Sequence, residues 1–277
     1  MRRKNNLPEL LAPAGDSECL YAAVRAGADA VYVGGKAFGA RAYAKNFTLT
    51  ELSSAVEYCH LHGVKLYVTV NTLVYDREMH ELSDYLFELW KIGVDAVITA
   101  DLGVIREVKR RAPGLAVHAS TQMSVHNLYG AQAAASLGAE RVVVARELSL
   151  ENIRAVTEKS SIETEMFLHG ALCVCHSGQC LFSSLVGGRS GNRGECAQPC
   201  RLPYNGKYPL SLSDLSLAGH IPEIIDSGVA SLKILAQLNF SLDNIKHVVE
   251  PVQKDTKKVA AVNPDKALGD FIKMLGW

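Results

Sequence analysis

The sequence predicts an α/β fold: a (β/α)8 TIM-barrel-like chain with a cysteine-rich insertion after the seventh strand. Three observations predict it. A helix–glycine–strand unit recurs along the chain, eight apolar runs have strand character, and their spacing is broken by one large gap between residues 170 and 228. Repeated βα units of this length close into a barrel with its chemistry at the C-terminal ends of the strands.

The repeat is visible in AGADAVYVGG (26–35), HGVKLYVTVN (62–71), IGVDAVITAD (92–101), LGAERVVVAR (137–146) and SGVASLKIL (227–235). In each, a glycine suits the left-handed position that ends a helix. The β-branched run after it suits a parallel strand buried on both faces. Amphipathic helical patterns precede the glycines, for example LTELSSAVEYCHLH and EMHELSDYLFELWKI. With ELLAPAG (9–15), LAVHASTQ (115–122) and ETEMFLHG (163–170), strands are expected near residues 10, 31, 67, 97, 117, 143, 167 and 232. YPLSLSDLS (208–216) is a candidate extra strand. A doubly wound open sheet is the main alternative. No GxGxxG follows the first strand, which counts against a dinucleotide site there.

The chain has 277 residues, 48% hydrophobic and 21% charged, with a formal net charge of zero. That is ordinary globular usage, and it provides no global field to attract nucleic acid. An RNA partner would need a local basic patch. The opening MRRKNNLPELL lacks an apolar run followed by a cleavage site, and no membrane-spanning segment is evident. A cytoplasmic location is expected, where thiols stay reduced.

That expectation matters because five of seven cysteines fall within residues 173–200. Cys173, Cys180, Cys196 and Cys200 read C-x6-C-x15-C-x3-C and follow the seventh strand directly. Four thiolates suit an iron–sulfur cluster or a closed zinc site. A disulfide pair is a weaker alternative, as is a cysteine nucleophile with His169 or His176 as base. Cys175 is expected to point away from Cys173 along an extended chain, and Cys19 and Cys59 to be small core residues. At the strand ends, Asn71, Asp101, Gln122, Arg146 and His169 are candidates to line a polar site, although Asp101 and Ser149 also suit helix caps. The glycine-rich segment 187–201 carries Arg189, Arg193 and Arg201, suited to a carboxylate or phosphate.

These residues carry a resemblance. EMFLHGALCVCHSGQC, GRSGNRGECAQPCRLPY, LLAPAG, DAVYVGG and HASTQMSVHN are similar to the peptidase U32 family, the collagenase-like proteases, from about residue 9 to about residue 234. The resemblance implies a barrel-type catalytic domain over residues 1–234. It also implies a 4Fe-4S cluster bound by Cys173, Cys180, Cys196 and Cys200. The family name implies proteolysis. Several members, however, resemble oxygen-independent hydroxylation factors that act on tRNA, rRNA or a quinone precursor, the RNA-acting ones drawing on prephenate as cosubstrate.

The chain shows no HExxH, no GxSxG and no evident triad, which favours RNA hydroxylation over peptide hydrolysis. On this reading Asn71, Gln122, Arg146 and His169 are catalytic candidates, and the three loop arginines engage cosubstrate or phosphate. After SLKI the family continues with an E-G-R stretch, where this chain has Leu235, Ala236 and Gln237. Residues 235–277 are therefore expected to be a divergent tail, with the family's C-terminal region absent. That expectation adds a third reading, an inactive binding or assembly subunit.

Overall fold

The computed structural model describes residues 7–40 and 45–235. Eight parallel strands close on themselves. They are β1 (Glu9–Ala14), β2 (Ala30–Gly34), β3 (Lys65–Thr69), β4 (Ala96–Thr99), β5 (Ala116–Ala119), β6 (Arg141–Val143), β7 (Glu163–Gly170) and β9 (Ser231–Ile234). Each of β1 to β6 pairs with the next, β6 pairs with β7, and β9 lies between β7 and β1 to complete the ring. Every strand expected from the sequence is present. The segment 208–216 contributes only β8 (Leu215–Ser216), two residues antiparallel to the end of β7.

The helices between strands are α1 (Ser17–Arg25), α2 (Leu49–Leu61), α3 (Met79–Lys91), α4 (Leu102–Arg111), α5 (Leu128–Leu137), α6 (Leu150–Lys159) and α8 (Ile221–Asp226). Their starts follow local chemistry. Asp16, Thr48, Asp101, Asn127 and Ser149 each accept a backbone N–H of the first turn, and Glu51 completes a capping box with Thr48. Asp101 and Ser149 are thus helix caps. The glycine of the repeat unit ends the helix as expected, as at Gly138 with φ of 108°.

Two apolar layers result. The larger lies between barrel and helices and includes Leu20, Leu52, Leu82, Leu86, Leu89, Ile105 and the outward residues of the strands. Cys19 and Cys59 belong to it, and burial lifts their thiols to about 11 and about 12. Such thiols are inert packing groups. The smaller layer fills the barrel with Leu11, Ala30, Tyr32, Tyr67, Ala96 and Ile98.

The barrel interior also holds a buried charged network. Arg141 of β6 donates to Glu9 of β1 at 2.6 Å, to Glu165 of β7 at 3.1 Å and to Glu163 at 2.7 Å. Tyr67 donates to Glu9 at 2.9 Å, and Lys233 of β9 donates to Glu165 at 3.2 Å. Burial opposes the charge on Arg141, but the Glu9 and Glu165 carboxylates outweigh it and keep the guanidinium cationic. Five strands are joined through these side chains. No helix of the described residues is long and apolar enough to cross a membrane.

Candidate functional site

The C-terminal ends of the strands surround a cavity of about 230 Å³. Pro13, Tyr32, Thr69, Asn71, Ser120, Gln122, Arg146, Phe167 and Lys233 are among its walls. Three of the four catalytic candidates therefore meet there. Asn71 accepts from the backbone N–H of Ala40 at 3.0 Å, so its carbonyl oxygen fixes the loop after β2. Arg146 lies over the Phe167 ring at 5.4 Å and donates to the Ala171 carbonyl at 2.9 Å. Lys233 rises from the floor with its Nζ 4.3 Å from the Tyr32 ring centroid. Sequence reasoning missed Lys233, although a lysine inside an apolar strand was a readable signal.

His169 is not among the residues lining this cavity. A β-bulge between Phe167 and His169 turns the strand end, and His169 pairs with Ser216 of β8. Burial lowers its pKa, against a smaller opposing effect from Asp214. The structure places it beside the barrel mouth rather than in it.

Above the mouth, the segment after β7 folds as a cysteine loop built on α7 (Phe182–Gly187) and short 3-10 turns at Gly191–Arg193 and Pro199–Arg201. It docks at its first part through Ser177, whose N–H and hydroxyl both donate to Glu147 at 2.8 Å. Burial resists ionisation of Glu147, yet the Ser177 hydrogen bonds and His126 hold its carboxyl at about 2. The backbone N–H of Arg146 donates to the Ser177 hydroxyl at 3.3 Å. Glu147, His126 and Ser177 were not singled out from the sequence, because their meeting depends on contacts between residues 21 and 30 positions apart.

The cysteines gather on this loop. The Cys173 sulfur accepts from Arg146 Nη2 at 3.3 Å, and Cys196 accepts from the Gln198 N–H at 3.4 Å and the Ser183 hydroxyl at 3.7 Å. A hydrogen bond with Cys180, then burial and the nearby Cys173 and Cys200, raise the Cys175 thiol. Cys175 is exposed on the same loop and interacts electrostatically with its neighbouring cysteines. Burial, and the charges of Cys173 and Cys196, raise Cys200 against the opposing pull of Arg201.

The donor set fits a metal centre: several thiols crowd one another, and N–H and hydroxyl donors aim at their sulfurs. A lone tetrahedral zinc ion with Zn–S bonds of about 2.3 Å would hold its sulfurs about 3.8 Å apart. Among the described residues the only three or more His, Cys, Asp or Glu ligand atoms all within 4.8 Å of one another belong to His126, Glu147 and His176.

The loop arginines are held as follows. Arg193 donates to Glu78 at 2.7 and 3.1 Å and to the Leu73 carbonyl at 2.6 Å, and stacks on Tyr75 at 4.5 Å. Arg201 donates to the carbonyls of Leu172 and Leu212 and to Ser211. Both are clasps that hold the loop through these contacts. Arg189 follows the C-terminal glycine of α7, its N–H bonded to the Ser183 carbonyl at 3.2 Å. Arg146 is the arginine that the cavity receives.

With barrel, mouth and cysteine loop in place, comparison with known proteins gives a consistent result. The model of peptidase family U32 matches residues 15–268. The chain belongs to peptidase family U32. Among U32 relatives, tRNA hydroxylation protein P1 of Bacillus subtilis is 40% identical over 264 residues, covering 89% of this chain and 62% of that protein. The 23S rRNA 5-hydroxycytidine C2501 synthase of Escherichia coli is 40% identical over 237 residues, covering 82% and 36%. A collagenase of Porphyromonas gingivalis is 35% identical over 251 residues, covering 82% and 60%. The chain thus spans less than two thirds of the length of these U32 proteins. A solved U32 peptidase structure superimposes with a TM-score of 0.60 at 18% identity, over 86% of this chain and 96% of that one, which shows the shared fold.

Proposed function

We propose that this U32 barrel catalyses oxygen-independent hydroxylation of an RNA base, in tRNA or rRNA, with a small carboxylate such as prephenate as cosubstrate. The observation that carries the reading is the placement of Arg146. Arg146 lines the mouth cavity, and its guanidinium reaches the Cys173 sulfur at 3.3 Å. One side chain therefore links the space for a small molecule to the cysteine loop.

Cys173, Cys180, Cys196 and Cys200 would hold a 4Fe-4S cluster, with Cys175 a neighbouring thiol and zinc the alternative metal. Such a cluster supplies electron transfer when bound. The chain's own residues do the rest. Arg146 and Lys233 are the charged groups among the described lining residues, and both are cationic types suited to carboxylates. Asn71 and Gln122 add polar surface to the same wall. Phe167 and Tyr32 supply apolar faces that support the two cations. The naming of the two relatives at 40% identity supports an RNA substrate.

The collagenase relative supports a second reading, peptide hydrolysis. A cysteine nucleophile needs a base within hydrogen-bond reach. Among the described residues the sulfurs' recorded partners are Arg146, Ser183, Gln198 and a neighbouring cysteine, and no histidine.

The test is anaerobic. The purified chain is analysed for iron and sulfide, then incubated with unmodified RNA and prephenate, and nucleosides are read by mass spectrometry. About four irons and four sulfides per chain are expected, with a gain of one oxygen on a base. Cys180→Ala and Arg146→Ala should both abolish the product, and Cys180→Ala the iron. Product formation unaffected by Cys180→Ala, or peptide cleavage in its place, would overturn the reading.

A further inference from the structure

A second constellation lies beside the cysteines and shares no side chain with them. His126 comes from the loop after β5, Glu147 from the loop after β6, and His176 from the cysteine loop. His126 Nε2 lies 3.0 Å from Glu147 Oε1, and His176 Nδ1 lies 3.2 Å from the same oxygen. We propose that His126, Glu147 and His176 form a mononuclear site for a divalent first-row transition-metal ion at the rim of the barrel.

Three features carry it. The first is spacing: donors bonded to one ion at about 2.0–2.2 Å, and about 90–109° apart, sit about 3.0–3.4 Å from one another. The pairs around Glu147 Oε1 match that. The second is the hydrogen bonding of His126. Its Nδ1 lies 2.8 Å from the Ser124 carbonyl, and its Nε2 faces the carboxylate. A neutral imidazole has one N–H and satisfies one of these acceptors. With the N–H on Nδ1, the Nε2 lone pair is directed at the space by Glu147, the orientation by which outer partners present a histidine to a metal.

The third is crowding at Glu147 Oε1. It already accepts the Ser177 N–H at 2.8 Å while both imidazoles converge on it. A cation there would be shared by the carboxylate and both imidazole lone pairs. The Ser177 hydroxyl holds Oε2 at 2.8 Å, so the carboxylate is oriented from behind.

Two imidazoles and one carboxylate are borderline ligands, suited to Zn²⁺, Fe²⁺, Co²⁺ or Mn²⁺ rather than to Ca²⁺ or Mg²⁺. Three protein ligands leave positions open for water or a small anion. His176 is 77% exposed, so the open side faces solvent. Because His176 belongs to the cysteine loop and the other two ligands to the barrel, the ion would also pin the loop to the rim.

The experiment uses Co²⁺ as probe on the anaerobically purified full chain. Calorimetry reads stoichiometry and affinity, and pulsed EPR reads imidazole nitrogen coupled to the bound ion. One Co²⁺ per chain with histidine nitrogen coupling is expected, with affinity falling by more than about tenfold in His126→Ala and in His176→Ala. His176 is exposed, so its replacement leaves the fold intact, and circular dichroism checks both variants. Absence of saturable binding, or binding unchanged in both variants, would overturn the site.

Discussion

At the scale of single residues, the buried charges are the most consequential side chains that sequence pattern left unread. Glu9 and Glu165 are fully buried, and Arg141 and Lys233 nearly so. Each stands in a run that reads as apolar strand, so periodicity absorbed them as flanking polar residues. Their signal was present in the alternation of Glu163, Glu165 and Phe167 along β7, which puts the acids on the inward face. Glu165 is the hinge of the network because it accepts from both Arg141 and Lys233. Removing one partner of a buried ion pair leaves an uncompensated charge, which costs far more than the pair itself contributes. Glu165→Gln keeps the volume and removes the charge. It should destabilise the chain by on the order of 3 kcal/mol, measured by urea unfolding. A loss below about 1 kcal/mol would show that water or a rearranged Glu9 compensates.

At the scale of elements, the strands and helices were legible and the docking of the cysteine loop was not. Apolar runs and terminal glycines are local signals. The meeting of Ser177 with Glu147, or of Arg193 with Glu78, spans 30 and 115 residues and leaves no periodic trace. The cavity residues Asn71, Gln122 and Arg146 were readable because strand ends mark them. The guanidinium clasps depend on packing. Gly178 shows how tight that packing is. Its φ is +76°, and a Cβ there would run into the backbone carbonyl of Gln122. A left-handed conformation alone costs an ordinary residue about 1–2 kcal/mol. Gly178→Ala should therefore lift the loop off the barrel rim. The expected result is faster proteolysis within residues 171–201, with far-ultraviolet circular dichroism unchanged. Protease resistance equal to the parent chain would show that the loop adapts without leaving Gln122.

At the scale of the whole molecule, closure of the barrel brings β5, β6 and β9 around one interior, and their charges meet a histidine there. His118 is buried, its ring edge-on to Tyr67 at 4.6 Å between centroids, and its Nδ1 has no hydrogen-bond partner among the described residues. Burial, followed by the positive charges of Arg141, Lys233, Lys65 and Lys109, lowers its pKa well below the ordinary histidine value. The folded chain therefore keeps His118 neutral where the unfolded chain would protonate it. Below pH about 6.5 the unfolded state binds one more proton at this residue, so stability falls as pH falls toward the depressed folded value. Above pH about 6.5 both states are neutral and the contribution is complete. The slope from this one group reaches about 1.4 kcal/mol per pH unit. His118→Gln removes the titration while keeping a polar side chain. Urea unfolding between pH 7.5 and 5.5 should show a shallower loss of stability in the variant than in the parent chain. Equal slopes would mean that the barrel interior admits the proton, and that the charges of five strands are less tightly enclosed than their burial indicates.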